Sequence, residues 1–158
     1  MLLVKIKIIS LGKDKESWIS KGIAHYQKLI SKYAQIEFVT IPNIKKSSAL
    51  DSKTLKAKEA ELLLSEIDNR PYIALVDTGK EYDSPKFAQM LEEYGRAMNS
   101  RISFMIGGAY GLDSRIIANA AYTISLSKLT FSHQLVRLVF LEQIYRGYTI
   151  LHNTDYHK

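Results

Sequence analysis

Hydrophobic and polar residues alternate along this chain with two different periods. Residues 2–9 alternate partly between apolar side chains and lysines, which predicts a strand ending at Gly12. From Trp18 to Tyr33, apolar residues recur at three- and four-residue spacing, which predicts a helix with one apolar face. The first part of the chain is therefore expected to form one β-α unit.

Short apolar runs and polar segments continue to alternate after this unit. They predict strands over residues 36–41, 72–77, 102–106 and 122–126 and a helix over 52–67. Three further helices are predicted, one capped by Ser84 with Pro85 at its first position, one capped by Asp113, and one capped by Ser132 that runs to about Tyr148. Residues 42–52, including Lys45 and Lys46, are expected to form a loop, and Thr78-Gly79 a turn. Repeated β-α units predict an α/β fold, in which helices cover both faces of a mostly parallel sheet, in a single domain over residues 1–158.

Composition narrows the class of protein. The chain has 158 residues, 46% of them hydrophobic, and no cysteine. This excludes a disulfide framework, a thiolate zinc site and a thiol nucleophile. No apolar stretch reaches the roughly 18 residues of a membrane span, and the lysine-containing start has no signal cleavage pattern. We therefore expect a soluble cytoplasmic protein without a membrane partner. The net charge of +6 favours polyanionic partners but is not specific for them.

One glycine-rich segment is a candidate ligand site. Ligands of open α/β sheets bind beyond the carboxyl ends of the strands. The segment FMIGGAYGL, residues 104–112, leads from a buried strand into three glycines, which permit close approach of the backbone to a ligand. Its G-G-x-x-G spacing and late position differ from the G-x-G-x-x-G dinucleotide fingerprint. A tight turn without a ligand is the alternative.

The loop after the last predicted strand is a second candidate. Residues 126–134 offer several backbone amides beside apolar side chains, a combination that suits an adenine ring. Ser127 and Thr130 can equally be turn residues, and Leu129 and Phe131 can equally belong to the core.

The last helix and the tail carry groups suited to RNA. His133 and Arg137 are four residues apart near a helix N-terminus, where anions are favoured, so one helix face can meet phosphate. Capping or packing is the alternative role of His133. Glu142 and Arg146 have the spacing of an ion pair that stabilises the helix. The terminal DYHK combines an aromatic ring that can stack on a base with cations, although such tails are usually frayed.

In these segments the sequence resembles the ribosomal RNA large subunit methyltransferase H (RlmH) family, part of the SPOUT superfamily. The resemblance spans nearly the whole chain and is most specific in FMIGGAYGL, in SLSKLTFSHQLVRLVFLEQIYRGYTI and in the terminal YHK. It implies a homodimer with a C-terminal trefoil knot. It also implies S-adenosylmethionine-dependent methylation of N3 of a pseudouridine in helix 69 of bacterial 23S rRNA, on assembled ribosomes.

The same resemblance implies roles for particular residues. Cofactor binding is implied for Leu75, Gly107, Leu126, Ser127, Lys128, Leu129, Thr130 and Phe131. Groups facing the RNA are implied to be His133, Arg137, Tyr156, His157 and Lys158, with the tail completing the partner subunit's pocket and without a metal.

Two positions depart from the family pattern, which usually has proline where this chain has Ser132 and Asp155. Ser132 can still cap the last helix, whereas Asp155 adds a negative charge near the RNA. Two alternatives stay open. One is a SPOUT methyltransferase with a different RNA target, and the other is a non-catalytic ribosome- or RNA-binding protein.

Overall fold

The computed structural model describes residues 3–13, 15–45 and 51–158. Strands and helices alternate through these ranges. The strands are β1 (Val4–Leu11), β2 (Ala34–Ile41), β3 (Ile73–Glu81), β4 (Arg101–Ile106) and β5 (Tyr122–Ser125). The helices are α1 (Ser17–Ile30), α2 (Ser52–Ser65), α3 (Ser84–Ala97), α4 (Ser114–Asn119) and α5 (Leu135–Leu151). Part of the predicted loop, with Lys46, and Leu2 of the first predicted strand lie outside the described residues.

The strands form one five-stranded sheet in the order β2-β1-β4-β3-β5, and every neighbouring pair is parallel. Ile8 in β1 pairs with Phe38 on one side and with Phe104 on the other. The predicted α/β class and parallel sheet are thus confirmed. Because parallel strands end at the same edge, the loops that follow β3, β4 and β5 lie close together.

Alternate residues of β1 enter two separate cores. Ile6 and Ile8 pack with buried residues of α1, α3 and α5, whereas Ile9 and Leu11 pack with residues of α2 and α4. All four side chains are at most 1% exposed. Burial on both sides explains the nearly continuous apolar run of this strand. It also confirms that helices cover both faces of the sheet.

Aspartates begin three of the helices. Asp51, Asp83 and Asp113 each accept a hydrogen bond from a backbone amide two or three residues later, at 2.7, 2.8 and 2.9 Å. The predicted cap at Asp113 is confirmed. The predicted cap at Ser84 is wrong by one residue, because the Asp83 carboxylate reaches the amide of Lys86 and Ser84 is already helical.

The last helix starts later than predicted, because Gln134 precedes its first residue and Ser132 lies outside it. The Ser132 hydroxyl accepts a hydrogen bond from the amide of Leu135, the first residue of the helix, at 3.2 Å. Ser132 therefore satisfies one of the backbone donors at this helix end, as predicted. The helix continues to Leu151, three residues beyond its predicted end.

The turn predicted at Thr78-Gly79 is wrong, because β3 continues through these residues. Leu75 and Lys80 both pair with Ile124 of β5, and the register shifts between them. A strand residue has one neighbour on each edge, so these two residues lie on opposite edges of β5 and the segment between them crosses it. Because Gly79 has no side chain, the backbones of β3 and β5 can approach each other closely here, and the glycine is not part of a turn. The predicted trefoil knot requires a crossing of this kind, and the knot itself stays a prediction.

Candidate functional site

A cavity of about 550 Å³ lies at the edge of the sheet where β3, β4 and β5 end. Its wall is formed by residues 75–78, 106–112, 125–127 and 129–133, with Lys56 of α2, Ile117 of α4 and Val136 of α5. Small-molecule sites typically have volumes of roughly 300–1,000 Å³. The cavity therefore has the size and the position in the fold that a cofactor site requires.

The glycine-rich segment forms one side of this cavity. Gly107 lies against the backbone of the same segment, and a Cβ atom there would be 2.6 Å from the carbonyl carbon of Gly111 and 2.8 Å from the nitrogen of Leu112. Gly111 has a φ angle of +76°, which favours glycine, and its amide donates to the carbonyl of Gly108 at 3.1 Å. The segment is a tight turn that also exposes its backbone to the cavity.

The loop after β5 forms another side. The Ser127 hydroxyl accepts a hydrogen bond from the Leu129 amide at 3.0 Å, and the Ser125 hydroxyl donates to the Ser127 carbonyl at 3.0 Å. These bonds shape the loop, so Ser127 has the turn role that its residue type favours. Leu129 is 75% exposed, which excludes the alternative that it belongs to the core.

The structure brings most of the sequence-predicted cofactor residues into one wall. Leu75, Gly107, Leu126, Ser127, Leu129, Thr130 and Phe131 line the cavity. Lys128 is exposed and is not part of the wall, because its charged end stays in water.

His133 also lines the cavity, in the turn before α5. Partial burial lowers the pKa of His133 below its ordinary value of 6.5, and the charges of Arg137 and Lys15 lower it further. At neutral pH the ring is therefore uncharged, with one nitrogen able to donate and the other to accept a hydrogen bond.

Arg137 does not have the predicted surface position. Its side chain is 0% exposed, and its guanidinium donates a hydrogen bond to the carbonyl of Leu11 at the end of β1. The guanidinium also lies close to Gly12, where a Cβ atom would be 3.4 Å from Arg137 Nη2. Because the Arg137 side chain is fully buried, it does not have the exposed position that contact with phosphate requires. Arg137 instead ties the end of β1 to the first turn of α5.

The C-terminal tail folds back along α5 as far as Glu142, in the middle of the helix. The Tyr156 hydroxyl donates to Glu142 Oε1 at 3.0 Å, and Arg146 binds the same oxygen at 2.6 Å, which confirms the predicted ion pair. The Arg146 guanidinium carbon lies 4.9 Å from the centre of the Tyr156 ring, and its Nη1 lies 3.4 Å from His157 Nδ1. Partial burial raises the pKa of Tyr156, and hydrogen bonds with Tyr26 and Glu142 raise it further.

The tail and the cavity contact different parts of α5. Val136 in the first turn lines the cavity, whereas Tyr156 is held at Glu142, in the middle of the helix. With a rise of about 1.5 Å per residue, these two helix positions are about 9 Å apart along the axis. Tyr156 and His157 do not line the cavity of their own chain.

Sequence reasoning missed several residues of the wall. These are Lys56, Val76, Asp77, Thr78, Ile117, Ser125 and Val136. For Asp77 and Thr78 a usable signal was their position next to Leu75, at the end of a predicted strand. Lys56 and Ile117 come from helices that are distant in sequence, and only the folded structure brings them to the cavity.

Neither a metal-binding cluster nor a membrane-spanning helix is found in the described ranges. The residues at 3–13, 15–45 and 51–158 contain no group of three or more His, Cys, Asp or Glu side chains that could hold a metal ion. Helices long and apolar enough to cross a bilayer are also absent from these ranges.

The chain is similar to known proteins over almost its full length. A family model described as "Predicted SPOUT methyltransferase" matches residues 4–157. A protein of Streptococcus uberis named ribosomal RNA large subunit methyltransferase H is 43% identical over 159 residues, covering 98% of this chain and 100% of the relative. A protein of the same name from Christiangramia forsetii is 40% identical over 153 residues, covering 96% of this chain and 98% of the relative.

Solved structures of low sequence identity share the fold. A probable methylase family protein from Haemophilus influenzae matches with a TM-score of 0.55 and 11% identity, covering 97% of this chain and 70% of that chain. A probable methyltransferase from Bordetella pertussis matches with a TM-score of 0.54 and 11% identity, covering 92% and 96%. The family model, the full-length relatives and the parallel sheet agree, and the chain belongs to the SPOUT methyltransferase family.

Proposed function

We propose that this protein methylates large-subunit ribosomal RNA with S-adenosylmethionine as methyl donor. The observation that carries the proposal is that Leu75, Gly107 and residues 126–131, except Lys128, line the same cavity at the carboxyl edge of the sheet. The names of the Streptococcus uberis and Christiangramia forsetii relatives support ribosomal RNA as the substrate.

The residues of the cavity fit this cofactor. Leu75, Ile106, Leu126 and Phe131 provide apolar surface for a flat ring, and the glycine segment approaches closely because its glycines lack side chains. When bound, S-adenosylmethionine supplies an electrophilic methyl group. The residues of the wall bind the cofactor and orient its methyl group. Holding the methyl donor and its acceptor in line can account for a large part of the rate of such a transfer.

A more specific substrate follows from the family resemblance. We propose N3 of a pseudouridine in helix 69 of bacterial 23S rRNA, in assembled ribosomes and hence in the cytoplasm. The net charge of +6 is favourable for binding RNA. The uncharged ring of His133 at the cavity can accept a proton, which makes it a candidate for removing the N3 proton.

We propose that the active form is a homodimer in which the tail of one subunit reaches the cavity of the other. The folded-back position of the tail supports this arrangement, because Tyr156 is held at Glu142 and does not line the cavity of its own chain. Tyr156, His157 and Lys158 would then contact RNA at the partner's site, with an aromatic ring and cations that suit bases and phosphates.

Mixed dimers test the shared site. One subunit carries Gly107→Val and the other lacks residues 155–158, so neither homodimer has a complete site. We expect mixing to restore activity, because one of the two cavities then combines an intact wall with an intact tail. Failure to restore activity in mixtures shown by mass spectrometry to be heterodimeric would contradict the shared site.

The substrate is tested with labelled S-adenosylmethionine and ribosomes that lack the modification, with free 23S rRNA in parallel. Mass spectrometry should map the label to N3 of a helix 69 pseudouridine, in ribosomes only. Label at another nucleotide would indicate a different RNA target. If calorimetry detects no binding at millimolar S-adenosylmethionine, the protein is not a methyltransferase of this kind and a non-catalytic RNA-binding role is favoured.

A further inference from the structure

Two oppositely charged side chains line the cavity without being paired to each other. Lys56 contributes from α2, and Asp77 contributes from the part of β3 that crosses β5. Among the residues that the structure describes, neither side chain has a hydrogen bond or an ion pair with another residue. Both charges are therefore available to a molecule in the cavity.

The position of Lys56 is fixed by its helix. Its neighbours Leu55 and Glu59 are buried, at 5% and 7% exposure, while Lys56 itself is half-buried. A hydrogen bond from the Arg115 backbone is the main cause that lowers the pKa of Asp113, and the charge of Lys56 contributes a smaller part. The Lys56 ammonium therefore lies near the end of the glycine segment, on the side of the cavity formed by α2 and α4.

The rest of the wall differs in chemistry from this pair. The loop after β5 offers apolar side chains and backbone groups, which suit an adenine ring rather than a charge. The amino-acid end of S-adenosylmethionine carries one carboxylate and one ammonium group. Among the described residues, Lys56 and Asp77 supply the cavity wall with one cation and one anion, which match this zwitterion in sign and number.

We propose that Lys56 binds the carboxylate of the cofactor's methionine moiety and that Asp77 binds its ammonium group. This assignment rests on the proposed function and adds the subsite that holds the amino-acid end. The two charges thereby orient the methionine moiety, while residues 126–131 hold the other end. A cofactor lacking the carboxylate loses the contact with Lys56 and retains the contact with Asp77.

Calorimetry with two ligands tests the assignment. The ligands are S-adenosylmethionine and decarboxylated S-adenosylmethionine, which lacks only the carboxylate. A charge-assisted hydrogen bond at a partly exposed site changes affinity about tenfold. Lys56→Met should weaken binding of S-adenosylmethionine about tenfold and leave binding of the decarboxylated ligand within about twofold. Asp77→Asn should weaken binding of both ligands to a similar extent.

A matched control is Lys58→Met on the same helix. Lys58 is exposed and does not line the cavity, so its loss changes the net charge equally and should leave both affinities unchanged. Thermal unfolding confirms that each variant is folded.

If Lys56→Met weakens the binding of neither ligand, or weakens the binding of both equally, the assignment is wrong. If it weakens only RNA binding, Lys56 contacts phosphate instead. If the wild-type protein binds neither ligand, the proposed function fails together with this subsite.

Discussion

The backbones of Gly79 and Ile124 are in direct contact where β3 crosses β5. A Cβ atom at position 79 would lie 2.5 Å from the carbonyl carbon and 2.7 Å from the nitrogen of Ile124. Ile124 has little freedom to move away, because it pairs with Leu75 on one edge and with Lys80 on the other. The crossing therefore depends on the absence of a side chain at position 79.

Replacing Gly79 with alanine should lower the free energy of unfolding by about 1–3 kcal/mol or more, because the added methyl group overlaps backbone atoms rather than a flexible side chain. Urea unfolding measures the change. The matched control is Gly95→Ala in α3, where the nearest atom to the new Cβ is a Val4 methyl carbon at 3.7 Å. The control should stabilise the helix by roughly 0.5–1 kcal/mol. Equal stability of Gly79→Ala and wild type would show that the crossing can adjust.

The layers of the fold could be predicted from the sequence because each signal was local. The partial alternation in β1 and the three- and four-residue spacing in α1 reflect burial of their own side chains. Asp113 and Ser132 mark helix starts because capping bonds span two or three residues. The sites expected at the carboxyl edge followed from the sheet being parallel.

What could not be predicted depends on residues distant in sequence. The role of Gly79 is decided by Ile124, 45 positions later, and Arg137 is buried because Leu11, 126 positions earlier, supplies its acceptor. Lys56 reaches the cavity only through the packing of α2 on the sheet. The four-residue spacing of His133 and Arg137 predicts that they share a helix face, but it does not predict which of the two side chains is exposed to solvent.

Gly107 should be more sensitive to alanine than its neighbour Gly108. At position 107 the methyl group would overlap the backbone at Gly111 and Leu112, at 2.6 and 2.8 Å, whereas at 108 its nearest atom is the Leu11 Cβ at 3.5 Å. We expect Gly107→Ala to weaken S-adenosylmethionine binding by at least about tenfold, since an overpacking cost of 1–3 kcal/mol falls on the cavity wall. Gly108→Ala should bind within about threefold of wild type, because its contact distance is ordinary. Calorimetry compares the two variants, and equal affinities would contradict the geometry of this turn.

Arg137→Met should affect stability rather than electrostatic attraction of RNA. The substitution leaves the Leu11 carbonyl without its guanidinium donor, and an unsatisfied buried group costs about 1–3 kcal/mol. The slope of log affinity against log salt concentration for RNA should stay as in wild type, because the guanidinium faces the interior. Lys158→Ala on the exposed tail is the comparison, and we expect it to reduce that slope by about one phosphate contact. A reduced slope for Arg137→Met would restore the prediction that Arg137 meets phosphate.

The lowered pKa of His133 predicts a loss of stability in acid. Burial, followed by the charges of Arg137 and Lys15, holds the folded-state pKa below the ordinary value of 6.5. Between these two pKa values the unfolded chain binds the proton more readily than the folded chain. The contribution of the neutral ring to stability is therefore fully present above about pH 6.5 and is lost as the pH falls through the folded-state pKa. Urea unfolding between about pH 5 and 8 should show wild type losing stability relative to His133→Gln on the acid side only.

Lys15→Ala should move the NMR titration midpoint of the His133 ring upward, because it removes a nearby cation. A midpoint at or above 6.5 in wild type would show that the ring is not held neutral by its surroundings.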